Sequence, residues 1–212
     1  MEEEINLNAK HDAESGEYER HFLITTGCLV LDLGAHAGHF SELVCDHGGF
    51  VIAFEPHPTN FRWLNERLKG RNAIAINKAA WNRTGRAKLH ECPTNTGANS
   101  LFKHDQCSDV EHDVGCLDIG QFLSAAKIKP DFIKIDTEGA EFHILESLFR
   151  HGVKTNMAIE CHDHWLYAKC RAISELNGMA WLPETSHVGV CYCLPPAATC
   201  QAGLTSTKDQ GS

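Results

Sequence analysis

The chain has 212 residues, of which 42% are hydrophobic, and a formal net charge of −9. This length can bury a sizeable core in one domain, whereas the acidic balance argues against binding of nucleic acid through clustered Lys and Arg. No apolar run approaches the length of a membrane span, and the acidic first four residues are unlike a basic signal segment, so we expect a cytoplasmic protein that binds neither nucleic acid nor membranes.

Composition divides the chain into three parts. Residues 1–26 begin with a polar, acidic stretch without strong periodicity, which predicts an N-terminal arm or short helix that could fold over a site. Residues 27–194 carry the alternating apolar runs expected of one α/β domain. Residues 195–212 are small and polar, which is typical of a disordered tail.

The most informative stretch is residues 29–40, in which a short apolar run containing Asp32 is followed by Gly34 and Gly38. This pattern predicts a buried parallel strand, a tight turn and the start of a helix. Glycines permit positive φ, and the N-terminal amides of the helix point into the crevice where doubly wound sheets bind ligands. An ordinary strand–helix turn with structural glycines is the alternative.

A second strand, at about residues 50–55, ends in Glu55. An acid about 20 residues after a glycine turn is typical of hydrogen bonding to ribose hydroxyls. The dinucleotide fingerprint Gly-x-Gly-x-x-Gly is incomplete, because His36 stands at its second glycine and Ala37 follows. The sequence therefore favours a nucleoside ligand without a pyrophosphate over NAD.

The alternation of strands and helices continues along the chain. Residues 91–115 interrupt it and are predicted to form a turn-rich loop, either on the substrate side or simply solvated. A helix is predicted to begin near Leu117, with Asp118 as a candidate cap. The other expected elements are a helix opening near Pro58, strands at about 73–78, 87–90, 130–136 and 156–160, helices after the last two, and a closing hairpin at 179–182 and 188–194.

About five strand–helix alternations and a terminal hairpin predict the fold class. It is α/β, with a doubly wound, Rossmann-like, mostly parallel sheet and a C-terminal antiparallel hairpin. The ten cysteines are irregularly spaced, and several of them (Cys28, Cys45 and Cys161) lie in apolar patterns. We therefore expect free thiols rather than a disulfide framework.

Three stretches of this sequence together resemble the signature of FkbM-type methyltransferases. They are residues 32–38 (DLGAHAG), residues 54–58 (FEPHP) and residues 134–141 (KIDTEGAE). The resemblance covers about residues 28–165. It implies the seven-stranded fold of class I methyltransferases, with S-adenosyl-L-methionine as cofactor and S-adenosyl-L-homocysteine as product.

The resemblance also implies a cofactor site. Gly34 and Gly38 would shape the turn beside the methionine part, and Asp32 would hold the ammonium group directly or through water. Glu55 would bind both ribose hydroxyls, and Ala79 would meet adenine through its backbone. His36 stands where the family commonly has Asn. The residues predicted to bind the cofactor are Asp32, Gly34, His36, Gly38, Glu55, Ala79 and Asp136.

Methyl transfer then requires alignment of the acceptor and removal of a proton. Asp136 ends a strand at the cofactor crevice and is the first candidate, although it could instead be a helix N-terminal acid. Glu138 and His162 complete the predicted catalytic set. Glu141 either points to the site or caps the turn. A divalent metal bound by Asp136, Glu160, His162 and His164 is a less favoured alternative, and no metal is predicted.

The leading hypothesis is O-methylation of a hydroxyl on a sugar or natural product. N-methylation of an amide or amine in a peptide natural product is the second hypothesis. A third, of a different class, is a non-catalytic or regulatory protein that binds S-adenosylmethionine. The expected partner is a small-molecule, sugar or peptide-like acceptor, and the sequence leaves the oligomeric state open.

Overall fold

The computed structural model describes residues 17–93, 95–183 and 189–196. The strands are β1 (Leu29–Leu33), β2 (Phe50–Phe54), β3 (Ala73–Ile76), β4 (Ala79–Trp81), β5 (Gly85–His90), β6 (Glu111–Asp118), β7 (Phe132–Ile135), β8 (Asn156–Cys161), β9 (Ala180–Pro183) and β10 (Gly189–Leu194). The helices are α1 (His39–Asp46), α2 (Pro58–Arg67), α3 (Ile119–Ala126), α4 (Glu141–Arg150) and α5 (His164–Leu176).

Seven strands form the main sheet, in the order β3-β2-β1-β7-β8-β10-β9. The first five of these pair in parallel, whereas β10 runs antiparallel to both β8 and β9. The predicted α/β class, the mostly parallel sheet and the C-terminal hairpin are therefore confirmed. The strand order reverses beside β1, so the ends of β1 and β7 open a crevice of the kind that binds ligands in doubly wound sheets.

Hydrophobic side chains alternate across the central strands and fill both faces of the sheet. In β1, Leu31 and Leu33 belong to a core cluster shared with α3, α4 and α5, whereas Val30 belongs to a second cluster with Phe40 and Val44 of α1. A strand buried on both faces needs apolar residues at nearly every position. Asp32 is the exception in β1, and it is fully buried.

A second sheet consists of three strands in the order β4-β6-β5. The prediction of a turn-rich loop over residues 91–115 was wrong at its C-terminal end, because β6 (Glu111–Asp118) begins at residue 111. Its burial alternates, with Val114 and Cys116 inside, but only one face is covered and the apolar signal is correspondingly weak. The next helix begins at Ile119 rather than near Leu117, and the Asp118 carboxylate accepts from Gln121 N at 3.0 Å, so the predicted cap is confirmed.

The terminal predictions fall largely on residues outside the described ranges. The arm is described from Glu17 onward, and the tail only at Pro195 and Pro196. Within the described part, the nine cysteines are free thiols. None of the described helices is both long and apolar enough to cross a membrane.

Candidate active site

A cavity of about 590 Å³ opens at the carboxyl ends of the parallel strands. Six residues predicted from the sequence line it: Gly34, His36, Glu55, Ala79, Asp136 and Glu138. Three other predicted residues, Asp32, Gly38 and His162, do not line the cavity themselves. The cavity also receives side chains from the N-terminal segment and from the loop at residues 95–101.

The turn after β1 requires glycine at Gly34. Its φ is +83°, and a Cβ built there would lie 1.7 Å from the carbonyl oxygen of Asp136. Gly38 has φ +88°, and its Cβ would lie 2.7 Å from Cδ1 of Leu64. Between them His36 also has a positive φ, of 50°, which a non-glycine residue rarely adopts. The turn therefore brings backbone close to the crevice, and the ring of His36 lies with Nε2 2.9 Å from Oγ1 of Thr96, another residue of the cavity.

Glu55 lies at the end of β2, facing the cavity. Its two carboxylate oxygens accept hydrogen bonds from the backbone N–H of His36 at 2.8 Å and of His57 at 2.7 Å. Burial raises the pKa of Glu55 to about 7, although these two N–H groups oppose the rise. Each oxygen retains a lone pair for a ligand, so the carboxylate is oriented before any ligand arrives.

Asp32 holds two neighbouring side chains rather than lining the cavity. Its Oδ2 accepts from the hydroxyl of Ser41 at 2.6 Å, and its Oδ1 lies 3.3 Å from Nζ of Lys134. Lys134 also donates to the carbonyl oxygen of Gly34 at 3.1 Å. Asp32 thereby fixes the lysine that stands under the glycine turn.

Lys134 forms ion pairs with both Asp32 and Asp136. Its Nζ lies 3.3 Å from Oδ2 of Asp136, and the Tyr18 hydroxyl donates to the same oxygen at 3.2 Å. Burial disfavours the ammonium form of Lys134, but the charges of Asp32 and Asp136 outweigh it and raise its pKa. The Tyr18 hydroxyl also donates to Glu160, so the N-terminal segment covers this end of the cavity.

His162 lies between two carboxylates. Its Nε2 is 3.4 Å from Oδ1 of Asp136, and its Nδ1 is 3.5 Å from Oε2 of Glu138. Burial favours the neutral imidazole, but the nearby carboxylates of Asp136 and Glu138 outweigh it and raise the pKa of His162 to about 10. At neutral pH this side chain is therefore an imidazolium ion rather than a free base.

Glu138 has the opposite electrostatic character. Burial raises its pKa to about 7, and the negative charge of Asp136 adds to the rise. In Asp136, by contrast, Lys134 and His162 overcome the effect of burial and hold the pKa well below its usual range. Of these two acids that line the cavity, only Glu138 can exchange a proton near neutral pH.

The backbone of the turn after β7 aims Glu138 at the cavity. Glu138 has φ +55°, and its carbonyl oxygen accepts from the Ser100 hydroxyl at 2.5 Å. Glu141 is fully buried and accepts from the backbone N–H of Thr137 at 2.8 Å and of Gly139 at 2.9 Å. Of the two roles considered for Glu141, its contacts are those of the residue that closes the turn.

Sequence reasoning missed Tyr18 and Lys134, and it considered Glu160 only as a metal ligand. A lysine inside the otherwise apolar strand β7, two residues before Asp136, was an available signal, since residues i and i+2 share a face of a strand. Nothing comparable marks Tyr18. Its contacts join residues 118 and 142 positions apart in the chain.

Possible metal ligands also come together here, but they are not the full set suggested by the sequence, which was Asp136, Glu160, His162 and His164. Among the described residues, Asp136, Glu138 and His162 bring one ligand atom each within 4.8 Å of one another. Glu160 and His164 do not belong to that group. Both ring nitrogens of His162 face carboxylates, an arrangement that suits a protonated ring better than a metal ligand.

The strand order, the glycine turn after β1 and the acid at the end of β2 define a class I methyltransferase fold. The family model described as a methyltransferase FkbM domain matches residues 32–187. Because this match covers most of the chain, the protein belongs to the FkbM methyltransferase family, and it is an S-adenosylmethionine-dependent methyltransferase. No curated protein matches the sequence.

Solved structures support the fold. Fibrillarin from Aeropyrum pernix, in complex with natively bound S-adenosyl-L-methionine, is 11% identical over 86% of this chain and 73% of its own, with a TM-score of 0.54. Precorrin-6y C5,15-methyltransferase from Geobacter metallireducens is 11% identical over 88% and 87%, with a TM-score of 0.52. Magnesium protoporphyrin IX methyltransferase from Synechocystis, with bound S-adenosylmethionine, is 12% identical over 89% and 78%, with a TM-score of 0.50.

Proposed function

We propose that this methyltransferase transfers the methyl group of S-adenosylmethionine to a hydroxyl of a small sugar or natural-product acceptor, with Glu138 as the general base. The observation that carries the proposal is the Glu138 carboxylate, which lines the cavity and has a pKa raised to about 7. A base of this strength can accept a hydroxyl proton while the methyl group transfers.

The order of the strand ends supports the proposed placement of the cofactor. Across the edge of the sheet, Ala79 follows β3, Glu55 follows β2, and the glycine turn follows β1. Adjacent strands lie about 4.8 Å apart, so the ends of β3 and β1 are separated by roughly 10 Å along this edge of the sheet. In this arrangement Ala79 meets adenine, Glu55 binds the ribose hydroxyls, and the Gly34–Gly38 turn lies beside the methionine part.

In this placement, the acceptor binds in the remaining part of the cavity, beyond the end of β1. Asp136 and Glu138 follow β7, and Glu160 ends the neighbouring strand β8. In the proposed mechanism Glu138 takes the acceptor proton, while Asp136 and His162 hold that carboxylate in place through their ion pair. His162 acts as a positioning residue, because its imidazolium has no lone pair to accept a proton.

A second candidate acceptor is an amine. The carboxylates of Glu17, Glu138 and Glu160 line the cavity, and the buried Lys134 beside them is already paired with two acids. Such an acidic wall favours a cationic ligand. An ammonium acceptor would also lose a proton to Glu138 before it could attack the methyl group.

The test is an acceptor screen with trideuteromethyl S-adenosylmethionine, preceded by calorimetric titration with S-adenosylhomocysteine. We expect micromolar binding of the product and transfer of the label to a hydroxyl, located by fragmentation mass spectrometry. Label on nitrogen would select the amine candidate. Binding of the cofactor without label on any sugar, phenol, alcohol, amine or peptide would contradict the enzymatic proposal and favour a non-catalytic binding protein.

A further inference from the structure

A cluster of two thiols and one imidazole lies outside the carboxylates of the active site. Sγ of Cys92 is 3.2 Å from Sγ of Cys107 and 3.6 Å from Nε2 of His104. The three ligand atoms all lie within 4.8 Å of one another. Cys92 is fully buried, and its sulfur contacts the carbonyl oxygen of Ala98 at 3.1 Å in addition to the other two groups.

We propose that Cys92, His104 and Cys107 bind one Zn²⁺ ion. Two thiolates and an imidazole are a ligand set that zinc prefers, with Zn–S bonds of about 2.3 Å and Zn–N bonds of about 2.0 Å. In a tetrahedral site these bonds place the sulfurs about 3.8 Å apart and the sulfur and nitrogen about 3.5 Å apart. The Cys92–His104 distance already fits, and the two sulfurs must separate by about half an ångström.

Proton balance follows from the chemistry of the ligands. Each thiol loses its proton on binding, and the two thiolates neutralise the charge of the ion. Nε2 of His104 lies 3.1 Å from the carbonyl oxygen of Ala98, to which it donates a proton in the absence of metal. Coordination through Nε2 moves that proton to Nδ1. Three protein ligands leave the fourth position of the tetrahedron to a water molecule.

The cluster joins the two ends of a segment that has little regular secondary structure and is also held by side-chain contacts, such as the hydrogen bond from Asn60 Nδ2 to the carbonyl oxygen of Thr96 at 3.1 Å. Cys92 and Cys107 are 15 residues apart, and the regular structure among the described residues between them is a 3-10 turn at Thr96–Ala98 and a bridge from Ser100 to His90. The same segment forms a wall of the cavity through Thr96, Asn99 and Leu101, among others. Zinc bound here would cross-link the two ends of that wall, with one coordination position open, unlike the closed four-ligand sites of zinc fingers.

Two other groups of the described residues were considered, and both are less suited to zinc. In the group of His57, Glu91 and His112, Nδ1 of His57 accepts from the backbone N–H of Asn60, so its ring proton lies on the nitrogen that would have to bind metal. The group of Asp136, Glu138 and His162 belongs to the proposed catalytic site. Only the first cluster supplies thiolates, which zinc holds more tightly than calcium or magnesium do.

The test measures zinc directly and needs neither cofactor nor acceptor, so it does not depend on the proposed function. The full chain is equilibrated with Zn²⁺ and a phosphine reductant, desalted, and analysed for metal by mass spectrometry. Replacement of zinc by Co²⁺ should give a thiolate-to-cobalt charge-transfer band. We expect one ion per chain, and at least a 100-fold loss of affinity in Cys107→Ser and His104→Gln.

The matched control is Cys45→Ser, which removes a thiol from α1 that is distant in sequence, and it should retain the ion. Cys107 is only partly buried, so its variant should fold, as circular dichroism can verify. Zinc retained by Cys107→Ser but lost from His112→Gln would overturn the proposal. The absence of bound zinc under reducing conditions would also overturn the proposal. This holds even if the oxidised protein proves lighter by the two hydrogens lost in a Cys92–Cys107 disulfide.

Discussion

Nδ1 of His162 lies 3.5 Å from Oε2 of Glu138, and the pKa values of the two side chains are displaced so that both are charged between about pH 7 and 10. The histidine is protonated where an ordinary histidine is neutral, and the acid retains its proton up to neutral pH. An imidazolium has no lone pair with which to take a proton from the acceptor. In the proposed mechanism, Glu138 is therefore the group whose ionisation limits the reaction.

The first prediction concerns the pH dependence of turnover. Because only ionised Glu138 accepts a proton, the rate at saturating cofactor and acceptor should rise about tenfold per pH unit below pH 7 and level off above it. Glu138→Gln should lower turnover by about 100-fold or more and abolish this rise. The measurement is the initial rate of label transfer across about pH 5 to 9.

The control for this prediction is Glu146→Gln on α4, the helix that follows the turn carrying Glu138. Its carboxylate is 44% exposed and does not line the cavity, so turnover should stay within about twofold. If the rise with pH persisted in Glu138→Gln, another group would be the base.

The second prediction concerns His162 and stability. The pKa of His162 is raised to about 10 in the folded protein, against about 6.5 in the unfolded chain. The folded state binds the proton more tightly, so its stabilisation is complete below about pH 6.5 and is lost as the pH rises towards 10. His162→Gln should lower the melting temperature by about 5 °C near pH 6.5, and the difference should shrink at higher pH.

Thermal unfolding of both proteins at several pH values checks this. His47→Gln is the control, because the His47 side chain is 41% exposed and only its contact with Glu19 would be lost. A difference between wild type and His162→Gln that stayed constant across pH would show that the variant acts through packing rather than through charge.

The fold was predictable because its signals are local. Apolar runs such as β1 and β2, each ending beside an acid, specify buried parallel strands without reference to the rest of the chain. Strand β6 was not predicted, because Glu111, His112 and Asp113 give it a polar start and only one of its faces is buried. Its identity as a strand depends on pairing with β5, some 25 residues earlier, which local sequence does not reveal.

The site was predictable in composition but not in protonation. Asp136, Glu138 and His162 were chosen from their places after strands, and the structure brings all three together. Which of them carries the proton depends on burial and on Lys134, whose charge lowers the pKa of Asp136. Tyr18 could not be assigned, since its partners Asp136 and Glu160 are brought to it only by the tertiary fold.

The third prediction separates close approach from backbone conformation at the glycine turn. Gly34 and Gly70 both have positive φ, but a Cβ at Gly34 would lie 1.7 Å from the Asp136 carbonyl oxygen, whereas nothing lies within 4 Å of one at Gly70. Gly70→Ala should therefore lower the free energy of unfolding by about 1 kcal/mol. Gly34→Ala should lower it by at least about 3 kcal/mol, since β1 and β7 must also separate.

Denaturant unfolding without ligand measures both values. If the two variants were equally destabilised, the left-handed conformation alone would account for the glycine at Gly34. In that case the contact between the turn and the end of β7 would not be tight in solution.

The last prediction concerns the proposed ribose contact. Glu55 is oriented by two backbone N–H groups and faces the cavity, so Glu55→Ala should weaken binding of S-adenosylhomocysteine by about 10- to 100-fold, as expected for the loss of charge-assisted hydrogen bonds. Isothermal titration calorimetry at about pH 8, where the carboxylate is ionised, measures the change. Glu175→Ala on α5 is the control and should bind as wild type does.

Because the alanine at position 55 also frees the N–H groups of His36 and His57, Glu55→Gln is included to retain one acceptor oxygen. Affinity intermediate between wild type and alanine would support a direct contact with ribose, whereas unchanged affinity in both variants would remove Glu55 from the cofactor site.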